Sequence, residues 1–409
     1  MTDHSGQVDT IEKQVDVVVV GGGPSGATAA HDLARQGRSV VLLDRGGRIK
    51  PCGGAVPPIL LDEFDVPETQ LVARATCARM ISPKSVEVDM PINGFVGMVD
   101  REHFDEWLRE RARRAGAERI RGLFKAIEHD DEGNTIVVYK NKGDGSDASS
   151  ELQRIRTRVV IGADGARSEV ARQTIPNADK IPFVAAYHEI VKSPPAGVKG
   201  FDGERCDVYY QGELSPDFYA WIFPHGDSTS VGVGTANKGF SMREAVTKLR
   251  QRTGMGESET IRREGAPIPL KTLKRWDNNR DVVLAGDAAG GVAPASGEGI
   301  YYAMLSGRYA ADAAEEFCLT GNPKALRSAR KRFMKAHGRV FWILGIMQRF
   351  WYTSDKRRER FVSICRDPDV QHLTWEAYMY KRLVKARPMA HIRIFFKDMA
   401  HLLGFAPVK

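Results

Sequence analysis

Residues Val15–Gly37 read VDVVVVGGGPSGATAAHDLARQG, and Ser39–Asp44 follow with SVVLLD. The β-branched run fits a strand buried on both faces. Ala27, Ala30, Leu33 and Ala34 then share one helical face, and Gly37 is placed as a C-terminal cap. The second apolar run completes a strand, turn, helix, strand unit of the size of a βαβ crossover. Its turn carries G-x-G-x-x-G at Gly21, Gly23 and Gly26. The first glycine permits a tight turn, the second lets backbone approach a pyrophosphate, and the third lets the helix pack close to the strand. Asp44 lies 18 residues beyond Gly26, at the end of the second strand. A carboxylate there accepts from a ribose 2′-hydroxyl and repels a 2′-phosphate, which fits FAD or NAD better than NADP.

Outward from this unit, the helical spacing of MVDREHFDEWLRERARRAGA begins at Met98, and β-like stretches centre on Leu123 and Ile136. The polar GDGSDASS from Gly143 reads as a mobile loop. Buried-strand patterns return in RVVIGADGARS from Arg158 and DVVLAGDAAG from Asp281, and GEGIYYAMLSGRYAADAAEEF continues as a helix. Residues 61–95 are irregular with short alternating stretches, and 181–275 alternate in short strand-like pieces. Among these, YAWIFP sets Tyr219, Trp221 and Phe223 at the two-residue period of a strand, so their rings share one face; Pro224 is expected to end the run. That face is either ordinary core or the wall of a cavity.

The 409 residues, 42% hydrophobic and 27% charged, suit a soluble protein of two or three domains. The most apolar window, VFWILGIMQRFWY from Val340, is broken by Gln348 and Arg349, so no spanning helix is expected. The first 14 residues have no signal or transit pattern, which points to a cytoplasmic location. Five scattered cysteines support neither a disulfide framework nor a metal site. Net charge is +8, yet residues 321–409 hold 20 Lys and Arg against 6 Asp and Glu, so the basic character belongs to the C-terminal region. Such asymmetry suits an anionic surface. Nucleic acid is disfavoured for want of a recognition motif; a peripheral membrane contact and an ordinary solvated helical face both remain, and HIRIFFKDMAHLLGF from His391 has the form of either a basic amphipathic anchor or a helix packed onto the flavin domain.

GADGARS at Gly162–Ser168 and AGDAAGGVAPASGEG at Ala285–Gly299 resemble the two later fingerprints of flavoproteins related to aromatic hydroxylases. That resemblance implies bound FAD. It sets Asp287 on the ribityl chain, the turn bearing Gly290, Gly297 and Gly299 at the flavin ring or pyrophosphate, Arg101 along the dinucleotide, Arg45 beside Asp44, and Asp164 in a structural turn. PCGGA at Pro51–Ala55, together with YAWIFP, resembles the geranylgeranyl reductase family over about Val15–Arg330. In that family Cys52, Gly53 and Gly54 correspond to a segment near the flavin, and Tyr219, Trp221, Phe223 and Pro224 to a strand lining the substrate cavity. Many relatives carry Glu at the position of Asp44, and the shorter carboxylate still reaches a ribose.

The fold implied is α/β: a Rossmann-type FAD-binding domain (15–60, 96–180 and 276–320), an interleaved β-rich substrate domain (61–95 and 181–275), and a basic helical region (321–409) after a flexible start (1–14). The activity implied is reduction of isolated double bonds in a geranylgeranyl group, on (bacterio)chlorophyll or as the diphosphate, at a photosynthetic membrane. With no second dinucleotide fingerprint, the electron donor, NADPH or reduced ferredoxin, binds transiently. Cys52 is the first candidate for the proton donor, with His225 and Tyr301 behind it, and the faces of Tyr219 and Trp221 suit a developing cation. A flavin hydroxylase of the same fold and a non-catalytic prenyl carrier are the competing readings.

Overall fold

The computed structural model describes residues 13–47, 49–142, 152–198 and 200–381. The expected loop at 143–150, the anchor from His391 and most of the expected flexible start lie outside these residues. The chain begins with β1 (Lys13–Val20), α1 (Pro24–Arg35), β2 (Val40–Asp44), β3 (Ala55–Val56), α2 (Pro58–Glu63), β4 (Ala73–Ile81), β5 (Glu87–Met98) and α3 (Arg101–Arg114). It continues through β6 (Glu118–His129), β7 (Thr135–Asn141), β8 (Leu152–Gly162), α4 (Glu169–Thr174), β9 (Phe183–Lys192), β10 (Arg205–Tyr209), β11 (Ala220–His225), β12 (Ser228–Thr235) and α5 (Met242–Arg252). It closes with β13 (Thr260–Pro269), β14 (Val282–Leu284), α6 (Ile300–Thr320), α7 (Ser328–Trp351), α8 (Asp355–Ile364) and α9 (Pro368–Tyr380).

The apolar runs of the sequence become the first sheet. β1 pairs in parallel with β2 and β8, β2 with β6, and β8 with β14. The far ends of β6 and β8 take β7 between them, antiparallel to both. Val17, Val18 and Val19 are fully buried because α1 and α6 cover the sheet.

The second sheet has the order β13-β9-β12-β11-β10-β4-β5-β3, parallel only where β4 meets β10. It takes in residues 55–56, assigned by sequence to the nucleotide domain, and runs on to Met98 rather than stopping at 95. Pro224 does not end its strand. β10 pairs with β11 only as far as Ile222, so no neighbour on that side needs the missing N–H, and Pro224 stays paired with Thr229.

Helices α7 to α9 do not form a separate tail. Trp351, Tyr352, Val362 and Cys365 share one apolar cluster with Tyr219 and Trp221 of the second sheet. No helix among the described residues is long and apolar enough to cross a membrane.

Candidate active site

The glycine turn after β1 is built by exclusion. A Cβ on Gly26 would overlap the Gly21 carbonyl oxygen, and Gly21 itself, at φ +106°, crosses over Ala163. Gly23 differs: nothing lies within 4 Å of where its Cβ would project. It caps α1 without any side-chain hydrogen bond, so the helix N-terminus meets an open cleft. Asp44 holds the turn from β2, accepting from the Gly22 amide at 2.8 Å and from Gly46 at 2.8 Å.

That cleft has a volume of about 610 Å³ and is lined by Gly21, Gly23, Asp44, Arg45, Arg101 and Asp287 among others. Arg101 is buried at the start of α3 and forms a two-pronged pair with Asp105, both contacts 2.7 Å. Burial works against its charge, but Asp105 and Cys52 hold its pKa above the ordinary value. Asp164 closes the turn after β8, accepting from Ser168 and from the Glu169 amide at 2.7 Å, and burial raises its pKa. An uncapped helix N-terminus, an open glycine and a buried cation fit a dinucleotide diphosphate, and the Asp44 carboxylate fits its ribose.

A second cavity, of about 360 Å³, adjoins the cleft and shares Pro24, Lys50, Arg101 and Asp287 with it. Lys50 and Asp287 are ion-paired at 2.5 Å across this junction. The remaining lining is largely apolar. Tyr219, Trp221 and Phe223 all face it, and their rings follow one another at centroid distances of 6.0 and 6.1 Å. The opposite walls come from β4, β5, β10 and the C-terminal helices, through residues such as Met80, Met90, Tyr352, Phe361 and Trp375.

The aromatic wall is fixed in place. The Trp221 indole N–H donates to Ser230 Oγ at 3.0 Å, Ser230 contacts His188 Nδ1 at 2.8 Å, and His188 Nε2 meets Glu264 at 2.9 Å. An indole can only donate, so with a neutral imidazole the chain of donors runs from Trp221 toward Glu264. A Cβ on Gly232 would overlap the Trp221 ring, so that glycine makes the room. The Tyr219 hydroxyl donates to the Ser296 carbonyl at 2.6 Å, tying the wall to the third glycine-rich segment.

Cys52, Gly53 and Gly54 lie along the second cavity, with Gly53 facing the Phe223 ring and Gly54 at φ +73° against the Val99 carbonyl. Gly297 and Gly299 line it as well. Four expectations change. Pro224 does not line the cavity, because the alternation that turns Phe223 inward turns Pro224 to the other face. Gly290 borders neither space: at φ +73° it crosses the Lys271 carbonyl, a packing role. Gly26, by contrast, packs on Gly21 as its place in the motif predicts, and it does so without bordering the cleft. Tyr301 turns away and donates to Glu63 at 2.9 Å, and burial raises its pKa, so it offers the cavity no proton. His225 also stands outside the cleft and the apolar cavity alike, with burial lowering its pKa to about 4.

Sequence reasoning missed Lys50, His188, Glu298 and Lys381. Glu298, inside GEG, pairs with Lys381 from the end of α9 at 2.5 Å, and both are buried. Burial raises the carboxyl pKa and lowers that of the ammonium, each opposed by the other's charge. Lys381 also lies over the rings of Tyr301, Tyr302 and Tyr378.

The FAD dependent oxidoreductase family model matches residues 16–81. A geranylgeranyl diphosphate reductase from Rhodobacter capsulatus is 58% identical over 393 residues, covering 96% of this chain and 98% of its own length. The chloroplastic geranylgeranyl diphosphate reductase of Oryza sativa subsp. japonica is 37% identical, covering 96% and 87%. A solved geranylgeranyl bacteriochlorophyll reductase-like protein from Thermoplasma acidophilum has the same fold, with a TM-score of 0.79 at 21% identity over 92% of this chain and 99% of that one.

Proposed function

The chain belongs to the geranylgeranyl reductase family, and from that premise we propose how its cleft and cavity divide the work. It is an FAD-dependent oxidoreductase that saturates isolated double bonds of a geranylgeranyl group. The observation that carries the mechanism is the junction at Lys50, Arg101 and Asp287, where an apolar cavity walled by aromatic rings opens directly onto a dinucleotide cleft.

A long apolar chain binds best against rigid walls, and the tethered rings of Tyr219 and Trp221 supply them at little entropic cost. The chemistry that FAD would supply when bound and reduced by the electron donor is a hydride equivalent for one alkene carbon, the flavin returning to its oxidised form. The proton for the other carbon falls to the chain. Cys52 is our candidate: it lies along the cavity at its junction with the cleft, with the buried Arg101 guanidinium acting nearby. If protonation leads, the cation that develops meets the faces of Trp221 and Tyr219. Cys52→Ala is expected to lower anaerobic turnover by more than about tenfold, roughly 1.4 kcal/mol, with flavin content unchanged. A smaller loss removes Cys52 as the acid.

We assign NADPH as the electron donor, with reduced ferredoxin the alternative. Anaerobic bleaching of the flavin absorbance by NADPH, at least as fast as turnover, supports this; bleaching by ferredoxin alone reverses it. We take the product to be the phytyl chain of (bacterio)chlorophyll, reduced on the pigment or as the diphosphate, by a cytoplasmic protein held peripherally on the photosynthetic membrane. The chloroplastic relative supports the photosynthetic part of this reading. A hydroxylase of the same fold would need oxygen for product formation, and the carrier reading would leave the prenyl chain unreduced.

A further inference from the structure

Helix α7, SARKRFMKAHGRVFWILGIMQRFW, contains no acidic residue in 24 positions. Its faces are sharply divided. Phe333, His337, Phe341, Gln348 and Trp351 are buried, and Leu344 and Met347 line the apolar cavity. Lys335, Arg339, Trp342, Ile343, Ile346 and Arg349 are exposed. At about 100° per residue, those six fall within roughly a third of the helix circumference.

Trp342 is 69% exposed, Ile343 40% and Ile346 48%, three large apolar side chains on two successive turns of one stripe. Isolated exposed apolar residues need no explanation, but a contiguous set flanked by cations does. Lys331, Lys335 and Arg339 precede the apolar patch and Arg349 follows it, while Arg332 is engaged with Asp312. A tryptophan with aliphatic neighbours inside a ring of Lys and Arg complements an interface of acyl chains beneath anionic headgroups. The positive charge of the whole C-terminal region favours the same partner.

Resting on the reductase reading above, we propose that the outer stripe of α7 docks on an anionic lipid bilayer, so that one helix faces the bilayer with one side and the prenyl cavity with the other. A polyprenyl chain dissolved in lipid then has only the width of this helix to pass. The docking needs no spanning segment: the patch reaches the headgroup boundary, and the cations hold it there.

The test uses the full-length flavin-loaded protein. Co-sedimentation is measured with vesicles of phosphatidylcholine alone and of equal parts phosphatidylcholine and phosphatidylglycerol, for the parent and for the combined variant Trp342→Ser, Ile343→Ser, Ile346→Ser. The expected result is binding to the anionic vesicles that weakens with added salt and falls at least about tenfold in the variant, since three apolar anchors are removed. In the same preparations, reduction of geranylgeranyl diphosphate in detergent micelles is expected to be equal for parent and variant. Anionic-vesicle binding by the variant within about twofold of the parent overturns the proposal. So does absence of vesicle binding by the parent, which would assign the patch to a protein partner. A parent inactive in micelles would instead strike the reductase reading, while the vesicle result still decides the docking surface.

Discussion

The nucleotide cleft and the apolar cavity meet at Lys50, Arg101 and Asp287, yet they are built by opposite means. The cleft is made by backbone: Gly21, Gly23 and Gly26 shape it through what they lack, within six consecutive positions. The cavity is made by side chains from β4, β5, β9, β10, β11 and the C-terminal helices, held by tethers such as Trp221 to Ser230 and Tyr219 to Ser296. A backbone-built site should fail as a whole when one position gains an atom. A side-chain-built site should fail by degrees.

The largest effect should therefore come from the cleft. Gly26→Ala places a methyl against the Gly21 carbonyl with no flexible neighbour to yield, and is expected to cost about 3 kcal/mol or more and to abolish flavin binding. Thermal melting and visible absorbance check both; a flavin-loaded variant melting with the parent would break the contrast.

Next is a pH effect behind the Gly54 edge of the cavity. His225 is held neutral by burial beside Gly54 and Phe223, with Asp100, His188 and Arg262 acting on its charge, and its pKa falls from 6.5 to about 4. The unfolded chain then binds this proton more readily. Stability is full above pH 6.5 and is lost as pH falls toward 4, by about 3 kcal/mol from this group. Denaturant titrations across that window should show the loss in the parent and a smaller one in His225→Gln.

Trp221→Ala opens the cavity wall while leaving the cleft intact. We expect about a hundredfold loss in kcat/KM, roughly 2.7 kcal/mol, with flavin retained. Loss of flavin in this variant would mean that the two regions are not separable. The smallest effect is Ser230→Ala, which leaves the indole N–H without its acceptor and should cost about 1 kcal/mol in stability, with Ser230→Thr restoring part of it.

The same contrast explains what could be read from the sequence. The glycine turn, Asp44 and the buried strands are local, so their spacing alone located the cleft. The alternation of Tyr219, Trp221 and Phe223 located one wall, because a strand projects alternate residues to one side. The other walls carry no local signal. Lys381 reaches Glu298 across 83 positions, and Tyr352, Phe361 and Trp375 enter from a region whose basic composition does not say what its helices pack against. Gly290 and Pro224 were placed by resemblance to motifs. A motif transmits which residues occur together, and only packing distinguishes those that face the ligand from those that shape the turn.

The central claim is that the aromatic cavity presents a geranylgeranyl chain to the dinucleotide cleft for reduction. The most direct measurement is product mass after anaerobic incubation of the flavin-loaded protein with dithionite and geranylgeranyl diphosphate, which removes any dependence on the natural electron donor. The account predicts a product heavier by one H2 for each bond saturated, formed by the parent and largely lost in Trp221→Ala. A parent whose flavin is reduced and reoxidised by added oxygen, while the prenyl chain keeps its mass, would contradict it.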